Sequence, residues 1–145
     1  MTRRTKPEGA YVGTESSFQK SAIKLVRSIA KCDSRLVTHI PNGGQRTIMA
    51  GARLKAEGVV AGYPDIMVFA SGFHAGRDEV DRHLDEMQGY MLNGLAIELK
   101  VWPNKPSADQ EEIHRLLRVE GWRVEVAYGL GDVERITREY FGEAA

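Results

Sequence analysis

The sequence is poor in thiols. Cys32 is its one cysteine in 145 residues. A single cysteine excludes an intrachain disulfide and fits a reducing, cytoplasmic setting. No apolar run approaches the length of a membrane span. The N-terminus, MTRRTKPEGA, is basic, but no apolar segment follows it, so a secretory signal is not expected. No Cys/His cluster has zinc-site spacing. Neither charge dominates: 20 Lys and Arg balance 20 Asp and Glu. Bulk charge therefore does not announce a polyanionic partner. Repeats, linkers and low-complexity segments are also missing. What remains is one domain, and with 42% hydrophobic residues it can bury a real core.

The charge is uneven along the chain. From Arg35 to Ala56 there is no Asp or Glu, while Arg35, His39, Arg46, Arg53 and Lys55 fall in that run. Residues 77 to 86, RDEVDRHLDE, carry five acids and two arginines. A phosphate-facing role for Arg46, Arg53 and Lys55 follows more readily from the acid-free run than ordinary surface charge does.

Periodicity orders the elements. Phe18, Ala22, Leu25, Val26 and Ile29 share one helical face; Thr14 can N-cap that helix, and Glu15 sits in its first turn. RLVTHI reads as a short strand, PNGG as a turn, QRTIMAGARLKAE as a helix ended by Gly58, and DIMVFA as an apolar strand. Val80, Leu84, Met87, Met91 and Leu92 recur at helical spacing inside residues 71–94, which predicts an inserted helix. GLAIELKV is the next strand. SADQEEIHRLLRVEG is a helix expected to bury Ile113, Leu116 and Leu117, with Gly121 as its stop. WRVEVAY is a strand, and DVERITREYF is a last helix with Val133, Ile136, Tyr140 and Phe141 inward. The first three strands can run antiparallel. The helix after the third then crosses over and returns the fourth parallel to it. The expected fold is α/β: a small mixed sheet flanked by helices, with an insertion between the second and third core strands.

Chemistry enters at GLAIELK. Leu95, Ile97 and Leu99 alternate with Ala96, Glu98 and Lys100, so one face is apolar and the other ends in a carboxylate and an ammonium. Upstream, AGYPDI puts Asp65 at the start of an apolar strand, after Pro64. If the two strands pair, Asp65, Glu98 and Lys100 meet at one end of the sheet. Two converging carboxylates repel unless a cation lies between them. A hard divalent ion, Mg²⁺ or Mn²⁺, answers that need with oxygen ligands. The backbone carbonyl of Leu99 could add another ligand, and Lys100 could orient or deprotonate a nearby water.

A Pro-Asp followed by an acid–x–Lys on the next strand resembles the PD-(D/E)XK nuclease signature. The order ESSFQ, HIPNGG, LKAEGVVAGYPDI, AIELK, SADQ and EGWRVEV resembles more specifically the VRR-NUC (virus-type replication-repair nuclease) family, over about Glu15 to Tyr140. The resemblance implies a restriction-endonuclease-like αβββαβ core forming one nuclease domain over residues 1–145, with residues 1–12 flexible. It implies a catalytic set of Glu15, Asp65, Glu98, Lys100 and Gln110, with Asp65, Glu98 and the Leu99 carbonyl on the metal and Glu15 reaching it through water. The implied activity is Mg²⁺- or Mn²⁺-dependent DNA hydrolysis. Virus-type members are homodimers acting on branched DNA such as four-way junctions, in a bacterial or virus-infected host cytoplasm. Another branch of the family works as a monomer on flaps. The departure from the family pattern is the 71–94 insertion, which could dimerise, clamp DNA or gate access.

Simpler readings stand beside these. SADQ is a capping box with Ser107 at the N-cap and Gln110 three positions on; it accounts for both residues and is compatible with Gln110 turning toward Lys100. Glu15 could serve only the helix dipole. His39 and Asn42 could contact DNA or hold the turn. Lys105, with Arg46, Arg53 and Lys55, joins the DNA-binding set or is plain surface charge. His74, His83 and His114 read as solvated, and Trp102 and Trp122 as packing residues. A fold retained for binding branched DNA without useful catalysis is the rival from another class.

Overall fold

The structure, a computed structural model, describes residues 4–41, 47–73 and 91–143. Its centre is the strand foreseen at GLAIELK. Strand β5 (Gly94–Leu99) is buried along its whole length, because a neighbour covers it on every side. Strand β2 (Ile66–Val68) pairs with it antiparallel, Ile66 opposite Ile97 and Met67 opposite Ala96. Strand β6 (Trp122–Ala127) pairs with its other edge in parallel. Strand β1 (Val37–His39) pairs antiparallel with β2, giving the sheet order β1-β2-β5-β6. The sheet is therefore mixed, with the expected polarities.

Helices close both faces. Helix α1 (Glu15–Ile29) starts as expected at Thr14, whose side chain accepts from the Ser17 N–H at 3.1 Å while the Ser17 hydroxyl accepts from the Thr14 N–H. Helix α4 (Leu130–Tyr140) buries Val133, Ile136, Thr137 and Tyr140. These two helices cover the face that carries Ile66, Val68, Leu95, Ile97 and Leu99. Helix α3 (Ala108–Val119) forms the crossover and lies over the other face, where Met67, Ala96 and Val124 pack with Leu117 and Trp122. Period-two alternation explains why one strand supplies both cores. Residues 4–12, expected to be flexible, lie against this framework. Tyr11 stacks on Phe18 at 4.5 Å and its N–H donates to the Tyr128 carbonyl at 2.7 Å.

Three expectations need correction. Leu116 is 44% exposed and Ile113 and Leu117 are half-buried, whereas His114, expected to be solvated, is the buried residue of α3 at 3%. Gln110, Ile113, His114 and Leu117 share the face of α3 that meets the sheet, and Leu116 is the aliphatic residue turned outward. RLVTHI begins as a 3₁₀ turn over Ser34–Leu36, capped by Asp33, before β1. The insertion starts and ends in a small ladder, β3 (Gly72–Phe73) against β4 (Met91–Leu92), and Gly94 already belongs to β5. Met91 and Leu92, expected on the inserted helix, form β4 instead, and the rest of that helix, with Val80, Leu84 and Met87, lies outside the described residues.

Helix α2 (Ile48–Ala56) is capped by Thr47, whose hydroxyl accepts from the Ala50 N–H. None of its residues is buried, and Ile48 is 93% exposed.

A buried turn fixes the approach to β2. Gly62 holds φ at +97°, and a Cβ there would meet the Asp109 carbonyl oxygen at 2.7 Å. Only glycine tolerates both the left-handed backbone and that contact. Gly62→Ala is expected to lower stability by about 2 to 3 kcal/mol, read as the urea midpoint. An unchanged midpoint would show that this turn does not lie against the start of α3.

Candidate active site

Continuing the β2–β5 register one step beyond Ile66 and Ile97 sets Asp65 across from Glu98. Both sit at the same end of the sheet, and alternation puts both on the α3 side. They line a cavity of about 350 Å³ together with Glu15, Ser16, Phe18, Gln19, His39, Leu99, Lys100 and Gln110. The first turns of α1 and α3 thus meet the ends of β1, β2 and β5. The positive ends of two helix dipoles adjoin the cavity.

Each polar group there has a traceable position. Asp65 Oδ2 accepts the Leu99 N–H at 2.8 Å, which ties the carboxylate to the neighbouring strand. The Asp65 carbonyl accepts the Ile40 N–H at 2.9 Å and a bond from His39 Nδ1 at 2.7 Å. A carbonyl can only accept, so Nδ1 carries the proton of His39. Glu98 is 1% exposed. Its Oε1 accepts from Gln110 Nε2 at 2.8 Å and faces Lys100 Nζ at 3.2 Å; its Oε2 lies 3.5 Å from His114 Nε2. The buried carboxylate is thus tied through Oε1, while its Oε2 and His114 Nε2 are left without a hydrogen-bond partner.

The Asp65 carboxyl is pushed up to about 7. Burial is the largest cause, followed by the negative charge of Glu98; the Leu99 N–H and the Lys100 ammonium pull the other way. A carboxyl held in this state wants a cation or a proton.

Of the candidates read from sequence, Glu15, Asp65, Glu98, Leu99, Lys100, Gln110 and His39 share the one cavity. Gln110 carries out both roles considered for it. Its Oε1 accepts the Ser107 N–H at 2.9 Å, completing the capping box, while its Nε2 reaches Glu98. Arg53 and Lys55 stand apart on the exposed helix α2, where Arg53 pairs with Glu57 at 2.8 Å. Lys105 is exposed in the loop before α3. Asn42 and Arg46 lie outside the described residues.

Two residues were missed. His114 lies one helical turn after Gln110, so both project from one face onto Glu98. The placement of Gln110 in the site, carried one helical turn further, is the signal that points to it. Gln19 stands in the same relation to Glu15 on α1 and lines the cavity.

No model of a known protein family matches this sequence, and no curated protein does. Among solved structures, a VRR_NUC domain protein superposes with a TM-score of 0.64 at 23% identity, over 90% of this chain and 89% of that one. The two chains share the restriction-endonuclease-like α/β fold, in agreement with the resemblance read from the motifs.

Proposed function

We propose that this chain is a single-domain, Mg²⁺- or Mn²⁺-dependent DNA endonuclease that hydrolyses phosphodiester bonds in branched DNA, with a four-way (Holliday-type) junction as its preferred substrate. The observation that carries the reading is the cavity in which Asp65 and Glu98 converge with Lys100, Gln110 and Glu15. The likeness to a VRR_NUC domain protein supports it.

The residues fit a hard divalent cation. Two carboxylates converge at the end of the sheet, and burial together with the charge of Glu98 pushes the Asp65 carboxyl up. Among the described residues no three His, Cys, Asp or Glu side chains form a complete ligand cluster. Mg²⁺ takes few protein oxygens and keeps several waters. Asp65 and Glu98 would hold it, helped by the Leu99 carbonyl and by Glu15 through water. When bound, the cation neutralises charge on the phosphate and the leaving oxygen.

The chain's own residues supply the rest. Gln110 fixes one oxygen of Glu98, and the Leu99 N–H fixes one of Asp65, so the carboxylates are preorganised. Lys100 stands at the same carboxylate and orients the attacking water. In the reaction the water oxygen bonds to phosphorus and the bond from phosphorus to the leaving sugar oxygen breaks. One water proton is lost to solvent or a base, and the leaving oxygen takes one up.

DNA would be held by the set read from the sequence: His39, which lines the cavity, with Asn42, Arg46, Arg53, Lys55 and Lys105. Replacing Arg53 and Lys55 with Gln is expected to weaken binding to all DNA sequences alike and to reduce the slope of log affinity against log salt by about one to two. An unchanged slope in a filter-binding titration would remove α2 from the DNA surface. A C₂ homodimer would set two equivalent cavities against the two-fold symmetry of a junction. Light scattering at micromolar concentration checks it, and a monomer would end the dimer proposal.

The deciding experiment incubates the protein with synthetic four-way junctions, flaps, nicked duplexes and single strands, with and without Mg²⁺ or Mn²⁺. Cleavage of flaps or nicked duplexes in preference to junctions would favour a flap nuclease or nickase. Tight binding without metal-dependent cleavage would favour a DNA-structure-binding protein, a reading that leaves the Asp65, Glu98 and Lys100 set without a purpose.

A further inference from the structure

Gln19 is the polar residue of the cavity that the fold itself does not use. Its Nε2 and Oε1 are both buried, and neither has a hydrogen-bond partner in the structure. Leaving such groups unpaired costs about 1 to 3 kcal/mol each. The residue follows Phe18, on the helix whose Phe18, Ala22 and Val26 fill the core, so an aliphatic side chain there would serve stability better. It caps no helix and bridges no strand. It does line the cavity that holds Asp65, Glu98 and Lys100.

Among the other polar groups of that wall, Glu98 Oε2 also lacks a hydrogen-bond partner, but it belongs to the carboxylate pair assigned to the cation, and three others are committed. Gln110 bonds Ser107 and Glu98, Lys100 faces Glu98, and His39 holds the Asp65 carbonyl. Gln19 is the side-chain amide left open. A primary amide needs an acceptor for its N–H groups and a donor for its oxygen. A bare cation satisfies only the oxygen, and a phosphate satisfies only the nitrogen. A phosphodiester with its attacking water satisfies both. The amide is also neutral, which matters in a cavity already lined by the acids Glu15, Asp65 and Glu98: it brings no further negative charge near an anionic substrate.

We propose that Gln19 is a substrate-contacting residue. Both amide atoms are covered in the substrate-free protein, so the side chain turns into the cavity when substrate enters; its Nε2 then donates to a non-bridging oxygen of the scissile phosphodiester, and its Oε1 accepts from the attacking water. The inference rests on the nuclease reading above and deepens it. The amide exchanges no proton in the step; it fixes the line of attack and stabilises the charge that grows on the phosphate oxygens.

The test compares wild type, Gln19→Leu, Gln19→Glu and Glu98→Gln on the DNA substrate that the wild type cleaves best with Mg²⁺. Gln19→Leu keeps bulk and removes both hydrogen bonds. It should lower kcat by about 30-fold, the worth of a hydrogen bond to a charged group, with KM little changed and the shape of the pH profile retained. Its melting temperature, and the rise in it caused by Mg²⁺, should match or exceed wild type. Gln19→Glu restores the acceptor but sets a charge against the phosphate, so its kcat should fall further and its KM should rise. If Gln19→Leu does not fold, Gln19→Met is judged by the same ratio. Wild-type kcat in Gln19→Leu, beside an inactive Glu98→Gln, overturns the role of Gln19 and leaves the nuclease reading standing. A wild type that cleaves no substrate in the panel overturns both.

Discussion

Asp65→Asn and Glu98→Gln are each expected to reduce metal-dependent cleavage by about a thousandfold or more while leaving the fold intact. Both changes keep shape and remove one negative charge. An Asn at 65 still offers an oxygen to the Leu99 N–H, and a Gln at 98 still offers one to Gln110, so the local hydrogen bonds survive. The two variants should part company in stability. Asp65 is held above its ordinary range by burial and by Glu98, so its ionised form strains the metal-free protein. Asp65→Asn should therefore melt higher than wild type at neutral pH without metal. Glu98 is instead surrounded by donors, with Lys100 at 3.2 Å. Removing its charge leaves a largely buried ammonium without its counterion, so Glu98→Gln should melt lower. Activity on a junction substrate and melting in a chelator check both halves. Near-normal cleavage by either variant would remove these carboxylates from the reaction.

That pair was legible in the sequence because strand periodicity is unambiguous. The alternation from Leu95 to Lys100 fixes which residues share a face, and Pro64 fixes where the previous strand begins. Antiparallel pairing then leaves little freedom for Asp65 and Glu98 to miss each other. The sheet order and the polarity of the crossover followed from the same pattern. The face of α3 did not. Ile113, Leu116 and Leu117 suggested an ordinary apolar stripe, yet Gln110 and His114 are the residues drawn to Glu98. A buried carboxylate demands hydrogen-bond donors, and Gln110 and His114 meet it from the same face as Ile113 and Leu117, which leaves Leu116 on the outside. Helical periodicity sees hydrophobicity, not the needs of a charge on another element. Gln19 escaped for a related reason: it closes the quoted ESSFQ stretch, but a neutral amide inside a helix draws no chemistry until the cavity is known.

The affinity of the site for Mg²⁺ or Mn²⁺ is expected to rise about tenfold per pH unit from about pH 5 to 7 and to level off above. The sign follows from Asp65. Its carboxyl titrates near 7 in the folded protein and at the ordinary 3.8 when unfolded. Between those values the metal-free native state holds a proton that the unfolded chain has already released. Stability of the metal-free protein is therefore greatest below the lower value, falls as pH rises through the window, and is lowest above about 7. A divalent cation binds the ionised carboxylate and must displace that proton, so binding is weakest where the proton is held most firmly. The metal-induced rise in melting temperature should accordingly be small at about pH 5.5 and large at about pH 7.5, with little further gain at higher pH. Asp65→Asn should flatten the dependence, because its side chain has no proton to displace, and should show weak metal binding throughout. A wild-type metal response independent of pH across that range would show that the proton is not held between Asp65 and Glu98, and that the ion, if it binds, is held elsewhere.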